Sequence, residues 1–343
     1  MSGVPNDPTT GQNTERLNEM AFAFKNSQAM MTAIELGLFD AIEAGAGSNA
    51  EIAAATGMPA ETADRLAIVC RAMKLIDMVD GRYRNYADVS RYLVKNSRTY
   101  FGDYLVYTVR EDWPVWTDLV RQVRGDPGTE PSKYYLTMMQ DPDAARRFTE
   151  AGYNASIALA HRLAKRFDFS RFRHWLDLGG GSGCYAIAAC EHHPDLKVTL
   201  LDMPNVIAVA EEIIAKHGLS ERIATTPGEF FATDYPTGCD LASFITPLQN
   251  YGPEEVVALL RKVHAVLPSG GAILIVDYML ADDKAGPLDP ALYNLQGIRG
   301  GQYVARVNSG AEFTQFLNEA GFADVEVGWL LEHQLGQVVG WKL

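Results

Sequence analysis

Trp175-Leu-Asp-Leu-Gly-Gly-Gly-Ser-Gly183 decides the fold. An apolar run ends in a glycine-rich turn, and a helix-permissive stretch, Ala186-Ile-Ala-Ala-Ala-Cys190, follows at once. This reads as strand, tight turn, helix. Gly179, Gly181 and Gly183 let the backbone reverse sharply and approach a ligand that a Cβ would push away. The helix that follows presents its unpaired N–H groups to the same ligand. Asp202 stands nineteen positions after Gly183, closing a second apolar run, Leu196-Lys-Val-Thr-Leu-Leu201. An acid at that distance suits a grip on ribose hydroxyls. The competing reading is a plain glycine turn between packed elements. Strand before, helix after and acid at the end of the next strand together favour a nucleoside site.

Outward from this stretch, strands and helices alternate, which predicts a parallel sheet with crossover helices. Strands are expected at 174–178, 197–202, 222–226, 240–245 and 272–277. Helices are expected at 184–193, 205–217, 253–267 and 310–320. The chain closes on Ala323-Asp-Val-Glu-Val-Gly-Trp-Leu-Leu331 and Gly336-Gln-Val-Val-Gly-Trp-Lys-Leu343. So short a link cannot join parallel strands, so these form an antiparallel hairpin. A nicotinamide-binding sheet stays parallel, whereas a sheet ending in such a hairpin is the pattern of S-adenosylmethionine methyltransferases.

Upstream, Ala29-Met-Met-Thr-Ala-Ile-Glu-Leu-Gly-Leu-Phe39 reads as a helix apolar over much of its circumference. Such a helix needs a large partner surface, for which a second subunit is the candidate. Two short helices (49–57 and 59–73) and a hairpin about Asp80-Gly81 follow, a winged-helix pattern. DNA binding is its obvious functional reading. Arg65 and Arg71 form no basic stripe, however, and the net charge of −13 over 343 residues disfavours phosphate backbones. No nucleic-acid or membrane partner is expected. No apolar run reaches the ~18 residues of a membrane span. The four cysteines (70, 184, 190, 239) are scattered and read as free thiols of a cytoplasmic protein. The aromatic segment 97–170, with Tyr107, Tyr134, Tyr135 and Tyr153, suits the wall of a small-molecule pocket. No His/Asp/Glu cluster at ligand spacing predicts a metal.

The chain resembles the dimeric small-molecule O-methyltransferase family, a winged-helix dimerisation domain followed by a class I methyltransferase domain. The resemblance runs from about residue 15 to the end. It rests jointly on Leu36-Gly-Leu-Phe39, Asp177-Leu-Gly-Gly-Gly-Ser-Gly183, Leu201-Asp-Met-Pro204, Gly228-Glu-Phe-Phe231, Leu259–Leu267 and Gly300-Gly301. It implies an α/β fold: a Rossmann-like seven-stranded sheet with a C-terminal antiparallel hairpin, behind a mainly helical N-terminal domain. The implied divisions are 15–100 for dimerisation, 101–170 for linker and substrate-pocket helices, and 171–343 for the cofactor domain. S-adenosylmethionine is the implied cofactor and a homodimer the implied assembly. Gly179, Gly181 and Gly183 would pass its methionine and ribose, Asp202 would hold the ribose hydroxyls, Glu229 the adenine amino group and Phe230 its ring.

One departure matters. The family places a His-Asp-Trp segment after the fourth strand, and that histidine takes the acceptor's proton, a contribution on the order of 10²–10⁴-fold. Here the segment reads Pro247-Leu-Gln-Asn-Tyr251, with Gln249 at the catalytic position. A carboxamide accepts no proton at useful pH. Asp277 is one candidate for the family's orienting acids, and Arg306 stands near the other. The missing base points to an acceptor with no proton to lose: a thioether sulfur, a tertiary amine or an already acidic carbon. For a thioether, catalysis is mainly alignment, with aromatic rings favouring the growing positive charge and Arg306 anchoring a substrate carboxylate. Among relatives of this build, the chain looks most like bacterial S-methyltransferases of dimethylsulfoniopropionate synthesis, which methylate 4-methylthio-2-hydroxybutyrate. The alternatives are O-, N- or C-methylation of a secondary metabolite, a winged-helix regulator, or a dehydrogenase.

Overall fold

Gly37 sets the architecture of the first unit. It takes a left-handed conformation (φ 72°) and breaks the segment expected to be one helix. A computed structural model describes residues 14–126, 139–298 and 306–343. In it the chain divides into two compact units, one ending at Glu111 and the other beginning at Asp112.

In the first unit, helices α1 (Glu15–Phe22) and α2 (Phe24–Glu35) precede the break. Helices α3 (Leu38–Glu43), α4 (Asn49–Thr56) and α5 (Ala60–Ala72) follow it. Strands β1 (Ile76–Val79) and β2 (Arg82–Asn85) and helix α6 (Ala87–Tyr92) complete the motif. Because the chain turns at Gly37, Leu38 and Phe39 enter the unit's own core beside Ile52, Ala67 and Ile76. The apolar surface left in water lies upstream: Leu17, Met20 and Phe22 are each more than half exposed, and α1 buries no residue. Ser48 and Glu51 cap α4 reciprocally. Asp80 and Gly81 both have positive φ, the type I′ requirement, and β1 pairs antiparallel with β2.

The first compact unit runs on to Glu111. Phe101 and, from helix α7 (Gly102–Thr117), Leu105, Val106 and Val109 pack against the first unit's core. Helices α8 (Leu119–Arg124) and α9 (Pro142–Arg166) belong to the second unit. Ala160, Leu163 and Ala164 of α9 join that unit's main core.

The second unit continues through β3 (His174–Leu178), α10 (Cys184–His192), β4 (Lys197–Asp202), α11 (Pro204–Lys216), β5 (Ile223–Pro227) and β6 (Leu241–Ile245). After β6 come α12 (Pro253–Val266), β7 (Ala272–Leu280), α13 (Leu288–Gln296), β8 (Asn308–Ser309), α14 (Gly310–Ala320), β9 (Ala323–Leu331) and β10 (Leu335–Trp341). The sheet order is β5-β4-β3-β6-β7-β10-β9, with β8 beside β7. The strands β5, β4, β3, β6 and β7 run parallel, and β10 is antiparallel to both neighbours. The seven expected strands form this path, and the two-residue β8 is an addition.

Strand alternation splits the core between the two faces of the sheet. Trp175, Leu200, Leu274 and Val276 meet α9, α10 and α11 on one face. Leu176, Leu178, Phe244 and Ile275 meet α12 and α14 on the other. Each fully buried large apolar side chain contributes roughly 1.5–3 kcal/mol, so the sheet is a rigid base for the loops at its carboxyl edge. Strand order reverses between β3 and β6. In a doubly wound sheet, ligands bind at that switch point, outside the carboxyl ends of the strands.

Candidate functional site: the carboxyl edge at β3, β4 and β6

Three left-handed glycines within five residues turn β3 into α10: Gly179 (φ 73°), Gly181 (φ 56°) and Gly183 (φ 75°). A Cβ on Gly179 would lie 2.9 Å from Phe230 Cζ and 3.6 Å from Pro247 Cγ. Glycine loop, post-β5 loop and post-β6 turn therefore converge on one point.

Asp202 closes the glycine loop from β4. Its Oδ2 accepts from the Gly181 N–H at 2.8 Å and its Oδ1 from the Met203 N–H at 2.7 Å. Burial pushes its pKa up to about 6, against the pull of those two bonds. Each oxygen keeps a further lone pair, so ribose hydroxyls can still be held here.

Sequence reasoning assigned no role to Asp177. Trp175 Nε1 donates to Ser243 Oγ at 2.9 Å, and that hydroxyl donates to Asp177 Oδ1 at 2.8 Å. Asp177 Oδ2 is buried with no partner, directly beneath the glycine turn: a Cβ on Gly180 would meet it at 2.7 Å. Burial pushes the Asp177 pKa up to about 7. The signal was available in the sequence as one charge inside an otherwise apolar strand. An orphaned buried carboxylate oxygen beside a glycine turn fits the ammonium of a methionine moiety. With Asp202 nearby, the site is an acidic, desolvated recess suited to a cationic nucleoside.

Phe230 packs edge-on against Phe244 and tilted against Tyr251. Glu229 next to it is exposed. At β6, Thr246 has φ 67°, a strained conformation for a β-branched residue. The strain lies where the chain leaves the strand for the 3-10 turn Leu248–Asn250. Gln249 sits in that turn. Its Nε2 donates to Thr246 O at 3.1 Å, and its Oε1 is buried without a partner. Asp277 anchors the turn from β7. Its Oδ2 accepts from the Gln249 N–H at 3.2 Å and its Oδ1 from the Tyr278 N–H at 2.8 Å. Burial pushes its pKa up to about 7. Asp277 thus binds the backbone of the turn, not the side chain at its tip.

Of the other expected site residues, Tyr153, Arg306 and Tyr107 lie among the described residues. Tyr153 donates or accepts at 2.7 Å with His217 Nε2, and His217 Nδ1 faces Glu191 Oε1 at 3.0 Å. These partners stand at the carboxyl ends of α10 and α11. Since α11 spans about 20 Å at 1.5 Å per residue, Tyr153 lies far from the strand-end site, and it leaves the list of pocket residues. Arg306 pairs with Glu312 at 3.0 Å, where Glu312 also caps α14. Its guanidinium is therefore engaged. Tyr107 lies on α7 in the first unit. Tyr134, Tyr135 and Gly300-Gly301 lie outside the described residues. The four cysteines are free and buried. Among the described residues no group of His, Cys, Asp or Glu is placed to hold a metal, and no helix is long and apolar enough to cross a membrane.

A glycine loop closed by an acid, at the switch point of a sheet with a reversed terminal hairpin, defines a class I S-adenosylmethionine-dependent methyltransferase. The family model for the O-methyltransferase domain matches residues 113–323, and that for the O-methyltransferase dimerisation domain matches 18–96; the chain belongs to this family. It is 35% identical over 310 residues to the 3-hydroxy-5-methyl-1-naphthoate 3-O-methyltransferase of Streptomyces sahachiroi, covering 90% of this chain and 89% of that one. It is 28% identical over 330 residues to the L-tyrosine C(3)-methyltransferase of Streptomyces lavendulae, covering 92% and 89%. The crystal structure of human N-acetylserotonin methyltransferase in complex with S-adenosylmethionine superposes with a TM-score of 0.85 at 25% identity, covering 98% and 99%. The enzyme class and the cofactor follow from these findings. Relatives with this build methylate oxygen and carbon alike, so the family leaves the acceptor open.

Proposed function

We propose that this enzyme methylates a small molecule whose reacting atom surrenders no proton to a protein base, with a thioether hydroxy acid such as 4-methylthio-2-hydroxybutyrate as the first candidate. Gln249 carries the reading. It occupies the turn after β6, its amide N–H₂ is committed to Thr246 O, and its remaining oxygen accepts hydrogen bonds but no proton.

Bound S-adenosylmethionine supplies an electrophilic methyl group on a sulfonium. Asp177 would take its ammonium, Asp202 its ribose hydroxyls, Glu229 its adenine amino group and Phe230 the ring. Gly179, Gly181 and Gly183 let the backbone approach. Gln249 Oε1 offers a neutral carbonyl dipole to an acceptor that gains positive charge. Desolvation and alignment then provide most of the acceleration.

The test is product identity and pH dependence. Thioether acids should give a fixed-charge sulfonium by mass. The kcat should change less than about threefold between pH 8 and 9.5, since no acceptor proton is removed. Turnover of phenols but not thioethers, with a rate climbing tenfold per pH unit, would sink the reading. The second reading, O-methylation of an aromatic hydroxy acid with another group or water as base, is favoured by the identity to the naphthoate enzyme, and that result would establish it.

The assembly we propose is a cytoplasmic homodimer built through the N-terminal unit. Exposed Leu17, Met20 and Phe22 supply the apolar surface. Replacing all three by Ser should shift the mass in sedimentation from two chains to one; an unchanged mass would rule out this surface.

A further inference from the structure

Three backbone carbonyls of the loop after β5 point at one lysine. Lys262 Nζ of α12 donates to Phe230 O at 2.7 Å, Phe231 O at 3.3 Å and Thr233 O at 2.5 Å. The Tyr235 ring lies against the same ammonium, 4.3 Å away. Converging carbonyl oxygens repel one another, and a cation among them removes that repulsion. A lysine with its three donors satisfies all three at once.

The loop they belong to is short and tied at each end. Gly228 N–H donates to Asp202 O at 2.8 Å. Glu229 N–H donates to Thr233 Oγ1 at 2.9 Å, and Thr233 N–H returns to Glu229 O at 2.9 Å. A Cβ at residue 228 would fall 2.1 Å from Thr233 Oγ1, so only glycine allows this closure. Between the ties stand Glu229 and Phe230, the second with its ring over Gly179.

We infer that Lys262 is a positioning residue for nucleobase recognition: it fixes the backbone of 230–233, and so the placement of Glu229 and Phe230, without touching either reacting atom. This rests on the reading that the nucleoside of the methyl donor faces those two residues. Burial among the carbonyls lowers the ammonium's pKa; the proton stays because three acceptors share it. Met in its place would fill the volume and leave the carbonyls without a donor. Arg, with a fork of N–H groups, would restore part of the hold.

The experiment compares wild type, K262M, K262R and F230A. S-adenosylhomocysteine is titrated calorimetrically against its deaminated analogue, S-inosylhomocysteine. The wild type should prefer the adenine form by about tenfold, one hydrogen-bonded group's worth of discrimination. In K262M the KM for S-adenosylmethionine should rise about tenfold and the preference for adenine collapse, while kcat at saturation stays within about twofold. K262R should recover the preference to within about threefold of wild type. If F230A weakens binding while K262M leaves affinity and preference unchanged, the role of Lys262 is overturned and the nucleoside reading stands. If neither F230A nor K262M changes binding, the nucleoside reading itself is overturned. A fall of kcat in K262M with an unchanged KM would also refute the proposal, since it would place Lys262 with the reacting atoms.

Discussion

Replacing Asp177 by Asn is expected to weaken S-adenosylhomocysteine binding about 100-fold and, at pH 8, to raise the melting temperature of the ligand-free protein. Both effects come from one observation: a carboxylate whose Oδ2 is buried and unpartnered. In the ligand-free fold nothing bonds to that oxygen. The pKa is about 7 in the fold and about 3.9 in an unfolded chain. The folded state therefore holds an extra proton between these values. That stabilising contribution is complete below the unfolded pKa and is lost as pH rises through the folded one. At pH 8 the wild type bears an uncompensated buried charge that Asn lacks, a difference on the order of 4 kcal/mol. At pH 5 the folded carboxyl is largely protonated, and the difference should shrink to about a third of its value at pH 8. Calorimetric binding and thermal melts from pH 5 to 8.5 check both halves. Undiminished affinity would remove Asp177 from the site, and a lower melting temperature at pH 8 would refute the electrostatic account.

Asp277→Ala should lower kcat about 100-fold, because the reacting geometry tolerates little misplacement, and should destabilise the second unit by about 3 kcal/mol. The carboxylate accepts from the Gln249 and Tyr278 N–H groups, and its removal leaves buried donors without partners. It also frees the turn in which Thr246 is held at a strained φ. Asp277→Asn keeps one acceptor oxygen and should retain most of the stability. Its pKa of about 7, raised by burial, again contributes stability at acid pH that is lost as pH rises through 7. The KM for S-adenosylmethionine should change less than about threefold, since Asp277 bonds the Gln249 and Tyr278 N–H groups rather than the glycine loop. Steady-state kinetics with denaturant melts measure each part. A folded Asp277→Ala protein with wild-type kcat would show that the turn holds itself.

The readings that held depend on local rules. Gly179, Gly181 and Gly183 announce a left-handed turn because other residues pay a steric cost there. The period of apolar residues placed all seven principal strands, and the three residues between Leu331 and Leu335 forced an antiparallel pair. The apolar run before Asp202 placed that acid at the end of a strand, where β4 ends. The family followed from these together with Leu36–Phe39 and Gly228–Phe231, and the family models match it.

The misreadings share a different cause. Apolar periodicity ran through Gly37, so 29–39 looked like one helix; whether the chain folds back there depends on the core that receives Leu38 and Phe39. Tyr153 has the composition of a pocket wall, yet its hydroxyl meets His217 at the carboxyl end of α11, which no local pattern states. Arg306 looked available until α14 brought Glu312 to it.

The amino-acid sequence by itself determined the class of sheet, the glycine turn and the absence of a histidine after β6, because each is written in neighbouring residues or fixed spacings. Only the tertiary structure decided that β10 lies inside β9, that Asp177 is left with an unpaired oxygen, and that Lys262 gathers three carbonyls of the loop after β5. Those facts arise where segments tens of residues apart come into contact, and the burial that makes an unpaired charge or a converging set of carbonyls consequential exists only once they have packed.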